Sequence, residues 1–226
     1  MLTIINDFNT RVNEINTYFK LLDSIINQDA TIYFANKKTH KYKKFDDELI
    51  KVLKANSFLL LYNLIESSMK LSITEIYDSV SSKTKRYDEV KMEIRKIWIS
   101  ENYKNFNGKG TEFVFNTINN LANDIIDIKF KSEKVISGNL DGRKIREISD
   151  YIGFSNLTHH TAKNGIKLLQ VKTQRNNLAH GSISFSECGR QYTYEDLNTT
   201  KNQVIIYLRS IIKNIQTYID DENFII

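Results

Sequence analysis

Residues Asn56 to Val80 read NSFLLLYNLIESSMKLSITEIYDSV. Phe58, Leu61, Ile65, Met69, Ile73, Ile76 and Val80 hold one apolar stripe at steps of three and four, the period of a helix face. Extended back to Phe45, the same stretch carries a second stripe of Leu49, Val52, Leu53, Leu60, Leu64 and Leu71. A helix that is apolar on more than one side is enclosed by neighbours, so residues 45–80 predict the central helix of an all-α helical bundle. Glu66 sits mid-helix with Tyr62 and Lys70 four residues to either side. That spacing suits an ordinary Glu66–Lys70 surface pair as well as an acid kept for a functional role.

The flanks agree with an all-helical chain. Across 226 residues there is no proline and only 8 glycines, which favours long helices over turn-rich β structure. Upstream, residues 4–27 form an amphipathic pattern with Phe8, Val12, Ile15, Phe19, Leu22 and Ile26 inward. The connector 36–44 is basic and reads as a solvated loop, with phosphate contact by Lys37 and Lys38 as the sharper reading. Downstream, helices are predicted over 83–103, 111–130 and 143–151, separated by a loop at 105–110 and a turn at 137–142. A further helix spans 160–180, and 183–192 reads as a small extended excursion. Thr193 with Asp196 then makes a capping-box start to a last helix over 194–219.

Composition sets the remaining bounds. Hydrophobic content of 41% and charged content of 26% are those of an ordinary soluble protein with a single domain over 1–226. The lone Cys188 leaves no intrachain disulfide and fits a reducing cytosol. No apolar run reaches membrane-spanning length and the N-terminus lacks a signal pattern, so a cytoplasmic protein without membrane contact is expected. A net charge of +5 leans mildly towards polyanionic partners.

The chemistry concentrates in Lys172 to Gly181, KTQRNNLAHG. A guanidinium (Arg175), two amides (Asn176, Asn177) and an imidazole (His180) fall within six residues, beside Lys172. Arginine forks onto phosphate oxygens, and histidine titrates nearest neutral pH. Leu168, Val171, Arg175 and Leu178 recur at helical steps, which places Arg175 on the core-facing stripe, where it needs an anionic partner, bound or built in. Arg175 and His180 lie about 140° apart and roughly 7.5 Å along the axis, with Gly181 placed to end the helix. The plainer reading is a helix end at which His180 caps carbonyls and Arg175 pairs with a core carboxylate. Two other patterns bear on function. Arg146 to Ser155 has the form of the first helix and glycine turn of a helix-turn-helix, which would make the chain a DNA binder, but little positive charge follows it. His159 and His160 are adjacent, about 100° apart on a helix, and lack a zinc-site partner.

R-N-N-L-A-H-G after an amphipathic helix resembles the R-x4–6-H signature of HEPN domains. Three flanking segments look like the MAE-type HEPN subfamily: Leu61 to Met69, Ser137 to Asp141, and Ser184 to Arg190. The resemblance covers about 45–219. It implies a homodimeric, metal-independent endoribonuclease with no cofactor, acting on RNA as a toxin or antiviral-defence effector, with an antitoxin or defence-system partner protein. It also implies Arg175 and His180 as catalytic pair, Asn176 as polar neighbour and Glu66 as supporting acid. Asn177, Lys172, Lys37 and Lys38, by their type and place in the chain, are the expected contacts to RNA. Some HEPN domains are instead non-catalytic nucleotide-binding or assembly modules. The chain has Ser182 two residues after the histidine, where HEPN toxins paired with a nucleotidyltransferase antitoxin often carry tyrosine.

Overall fold

The long apolar segment folds as a helix of 37 residues, Asp47–Lys83 (α2), about 55 Å from end to end. The fold is taken from a computed structural model, which describes residues 2–36, 39–83, 86–106, 110–122 and 139–226. These hold eight α-helices: α1 (Leu2–Asn27), α2, α3 (Met92–Phe106), α4 (Thr111–Ala122), α5 (Gly142–Ile152), α6 (Ile166–Ala179), α7 (Phe185–Arg190) and α8 (Tyr194–Asp220). The second half of the predicted fourth helix (123–130), the loop residues 107–109 and the turn residues 137 and 138 lie outside the described residues.

The fold is all-α, built on α2. Phe58, Leu61, Leu64, Ile65, Met69 and Ile73 of α2 are fully buried, and α1, α6, α7 and α8 all pack along it. The dual-stripe pattern is thus met by neighbours on several sides. At α7 the approach is backbone to backbone. A Cβ on Gly189 would lie 1.9 Å from the Lys51 carbonyl oxygen, so only glycine fits there.

Four expectations are corrected. Within the connector 36–44, residues 39–44 are strand and not loop. Thr31–Asn36 (β1) pairs antiparallel with Thr39–Lys44 (β2), with Tyr33 opposite Tyr42 and their rings 5.1 Å apart. The β-branched and aromatic run Thr31-Ile32-Tyr33-Phe34 favours that pairing. The third helix begins later than 83, because α2 runs to Lys83 and a 3-10 turn at Tyr87–Glu89 precedes α3.

The helix expected over 160–180 is broken. His160–Gly165 is a 3-10 turn in which Lys163 (φ 46°) and Asn164 (φ 53°) are left-handed, followed by Gly165 (φ 75°). Three such residues cannot continue a right-handed helix, so α6 starts afresh at Ile166. The stretch after the motif is a helix, α7, and not an extended excursion. Ser184 and Glu187 cap its start reciprocally, a signature present in the sequence.

The helix-turn-helix reading also falls. Gly153 does end α5 in the left-handed region, at φ 97°. No second helix follows, because the Asn214 side chain of α8 donates to the Ser155 and Leu157 carbonyls and holds that segment irregular.

Candidate functional site at the C-terminal end of α6

Leu168, Val171 and Leu178 anchor α6 in the core, each buried. Arg175 lies on the same stripe but is half-buried, and its guanidinium carbon stands 4.5 Å above the Tyr62 ring of α2. Its Nη1 donates to Asn176 Oδ1 at 3.0 Å. Among the described residues no carboxylate pairs with it. An aromatic face holds a guanidinium without neutralising it, and a fork with unused N–H groups is what an incoming phosphate needs.

A short segment locks this arrangement. Asn176 Nδ2 donates to Asn139 Oδ1 at 3.0 Å, and the buried Leu140 N–H donates to the Tyr62 hydroxyl at 3.4 Å. Asp141 caps α5 by accepting from the Lys144 N–H at 2.9 Å, and its other oxygen accepts from Lys172 Nζ. Burial pushes the Asp141 carboxyl up, but Lys172 and the Lys144 N–H together outweigh it and hold the group below its ordinary range. Burial, the largest influence, raises the Tyr62 hydroxyl, and Glu66 adds to that, so it stays neutral beneath the guanidinium.

His180 closes α6. Its N–H donates to the Asn176 carbonyl at 2.9 Å, Gly181 N–H to Leu178 at 3.3 Å, and Ser182 N–H to Asn177 at 2.8 Å. Gly181 at φ 68° is the left-handed residue this two-bond C-terminal motif requires. The backbone satisfies the loose carbonyls, so the imidazole is not spent on capping. It stands exposed, with no side-chain partner among the described residues.

A model of the MAE_28990-like HEPN family matches residues 2–224. The chain is a HEPN domain. No curated protein and no solved structure matches it. The family match takes in α1, which the sequence resemblance, set at about 45–219, had left aside.

Within this HEPN domain the fold sets Arg175 against the Tyr62 side of α2, with Asn176 bonded to it, while His180 stands exposed at the end of the same helix. Glu66 lies one turn beyond Tyr62, half-buried, and close enough for its charge to act on the Tyr62 hydroxyl. It makes no ion pair with Lys70 among the described residues. Asn177 is half-buried beside the motif. Lys172 is committed to Asp141, and Lys37 and Lys38 lie outside the described residues.

Sequence reasoning missed Tyr62, Asn139 and Asp141 as supports. The segment around 139–141 reads in sequence only as a turn with a family likeness, and no spacing could place residues 62 and 139 against residue 175. His159 and His160 stack on each other at 4.2 Å. No metal-binding cluster of three or more His, Cys, Asp or Glu occurs among the described residues. No helix among them is long and apolar enough to cross a membrane.

Proposed function

We propose that this HEPN domain is an endoribonuclease that cuts RNA without a metal ion, at a composite site shared by two copies of the chain. Arg175 carries the reading. It is a half-buried guanidinium braced on Tyr62 and Asn176, paired with no carboxylate among the described residues, and five residues before an exposed imidazole. Cleavage uses the ribose 2′-hydroxyl as nucleophile. One His180 removes its proton, the 2′-oxygen bonds to phosphorus, and the bond to the 5′-oxygen breaks. A second His180, from the partner copy, protonates the leaving 5′-oxygen, so the products are a 2′,3′-cyclic phosphate and a 5′-hydroxyl. The Arg175 forks stabilise the charge that builds on the phosphorane oxygens. Asn176 orients the fork, and Glu66 supports the site from α2. Such an activity suits a toxin or antiviral-defence effector held in check by a partner protein.

The test is cleavage of single-stranded RNA in excess chelator. Wild type is expected to cut, and Arg175→Ala and His180→Ala to lose about 10²- to 10⁴-fold in rate. DNA of the same sequence is expected to survive, because it lacks the nucleophile. Equal cleavage by all three proteins, or a requirement for magnesium, overturns the proposal. RNA binding without cleavage by the wild type favours a non-catalytic HEPN module.

A further inference from the structure

We infer that the cleft where the N-termini of α5 and α6 meet is a phosphate-binding subsite, gripping the RNA backbone to one side of the Arg175–His180 motif. This rests on the ribonuclease reading. The cleft has a volume of about 590 Å³, and Arg143, Arg146, Lys163 and Lys172 line it from three separate segments. Against these four cations the lining holds one carboxylate, Asp141, already shared between Lys172 and the Lys144 N–H. The cleft therefore keeps a clear excess of positive charge.

The other cations are lightly engaged. Arg146 is the more engaged: one arm donates to the Asn164 carbonyl at 2.9 Å, and the guanidinium also bonds the Tyr207 hydroxyl. Arg143 approaches Glu147 at 3.5 Å, but its side chain is 82% exposed and the pair is weak. Lys163 is exposed and makes no ion pair among the described residues.

The backbone points the same way. Gly165, at the start of α6, offers no side-chain cap; the Ile166 N–H is taken by the Lys163 carbonyl, which leaves the later first-turn N–H groups of that 14-residue helix beside the converging cations. The 11-residue α5 also begins at this space, although its own N-terminus is already capped by Asp141. Gly142 and Gly165 make this meeting possible. A Cβ on Gly142 would lie 3.0 Å from the Asn164 carbonyl oxygen, and one on Gly165 would lie 2.7 Å from the Tyr207 ring. The left-handed Lys163 and Asn164 shape one wall, a costly conformation that tends to persist at functional sites.

Lys172 links the cleft to the motif. It lines the cleft, and it lies one turn before Asn176 and about 12 Å along the helix axis from His180. A single RNA strand laid along α6 would meet the cleft first and the reactive groups a few nucleotides later.

The test measures binding of a fluorescent single-stranded RNA across a salt series, on a His180→Ala background so that the probe stays intact. The double variant Arg143→Gln with Lys163→Gln is compared with a control pair, Lys20→Gln with Lys213→Gln, on α1 and α8. Removing two phosphate contacts should flatten the log K against log salt slope by about 1.4 and weaken low-salt binding at least about tenfold. The control pair should change affinity less than about threefold. Equal losses from both pairs, or no loss from the cleft pair, overturn the subsite, and so does a parent protein with no RNA affinity. The ribonuclease reading is scored apart, by cleavage with wild type, so either can fail alone. Should the double variant melt early, Arg143→Gln alone, on an exposed side chain, carries the comparison.

Discussion

Arg175 is the residue on which position and charge are hardest to reconcile. Helical spacing sends it towards the core, yet a lone buried guanidinium is costly. The ring of Tyr62, 4.5 Å beneath it, provides a polarisable floor that leaves the charge intact. Tyr62 is therefore a positioning residue for the proposed chemistry, acting through Arg175. Tyr62→Leu is expected to lower RNA cleavage about tenfold, since a desolvated cation–ring contact is worth about 1–2 kcal/mol. Tyr62→Phe keeps the ring and is expected to stay within about threefold. It gives up only the hydroxyl that accepts from Leu140, a loss of about 1 kcal/mol in stability. Rates for the two variants, read beside their urea midpoints, check this. Equal losses of rate from both would show that the hydroxyl, not the ring, matters. The motif itself was legible residue by residue. Its floor was not, because Tyr62 and Arg175 are 113 positions apart in sequence and meet only in the folded chain.

At the scale of elements, Asp141 does two jobs, capping α5 and holding Lys172 of α6. Its carboxyl is depressed in the folded state by those partners. The stability it contributes is therefore complete above the ordinary carboxylate pKa of about 3.9 and is lost as pH falls through the lower folded value. Asp141→Asn keeps a good capping side chain but leaves the Lys172 ammonium, only 20% exposed, without its counter-charge. A cost of about 2–3 kcal/mol at neutral pH is expected, below the full penalty for a broken buried pair because Lys172 keeps a path to water. Urea unfolding from pH 7 down to 3 checks it: wild type should begin to lose this increment as pH falls below about 3.9, while Asp141→Asn stays flatter. Parallel pH curves would show that the pair contributes nothing. Local signals predicted other features of these elements well. The capping box of Thr193 and Asp196 opens α8 as read, and Gly181 ends α6 in the left-handed form. The equivalent Ser184–Glu187 box opens α7 within a stretch whose residue types favour extended chain.

For the whole molecule, the proposed reaction needs two imidazoles, and each chain places one His180 in its motif. A functional dimer is the consequence. Sedimentation or light scattering is expected to give twice the 26.4 kDa chain mass at the concentrations where RNA is cut. A monomer that cleaves RNA would overturn the shared site. What the sequence by itself determined was the bundle, its central helix, the amphipathic faces and the motif, since helical periodicity, proline and glycine content, and caps are local quantities that a linear reading can count. The tertiary structure alone decided the break at Lys163–Gly165, the irregular course after Gly153, the Tyr62 floor and the cationic cleft. The helix break and the close approach of Gly189 depend on where α8 and α2 lie. The floor and the cleft depend on side chains brought together from distant positions. Contacts of that kind carry no period in the sequence, because they are set by how the elements pack.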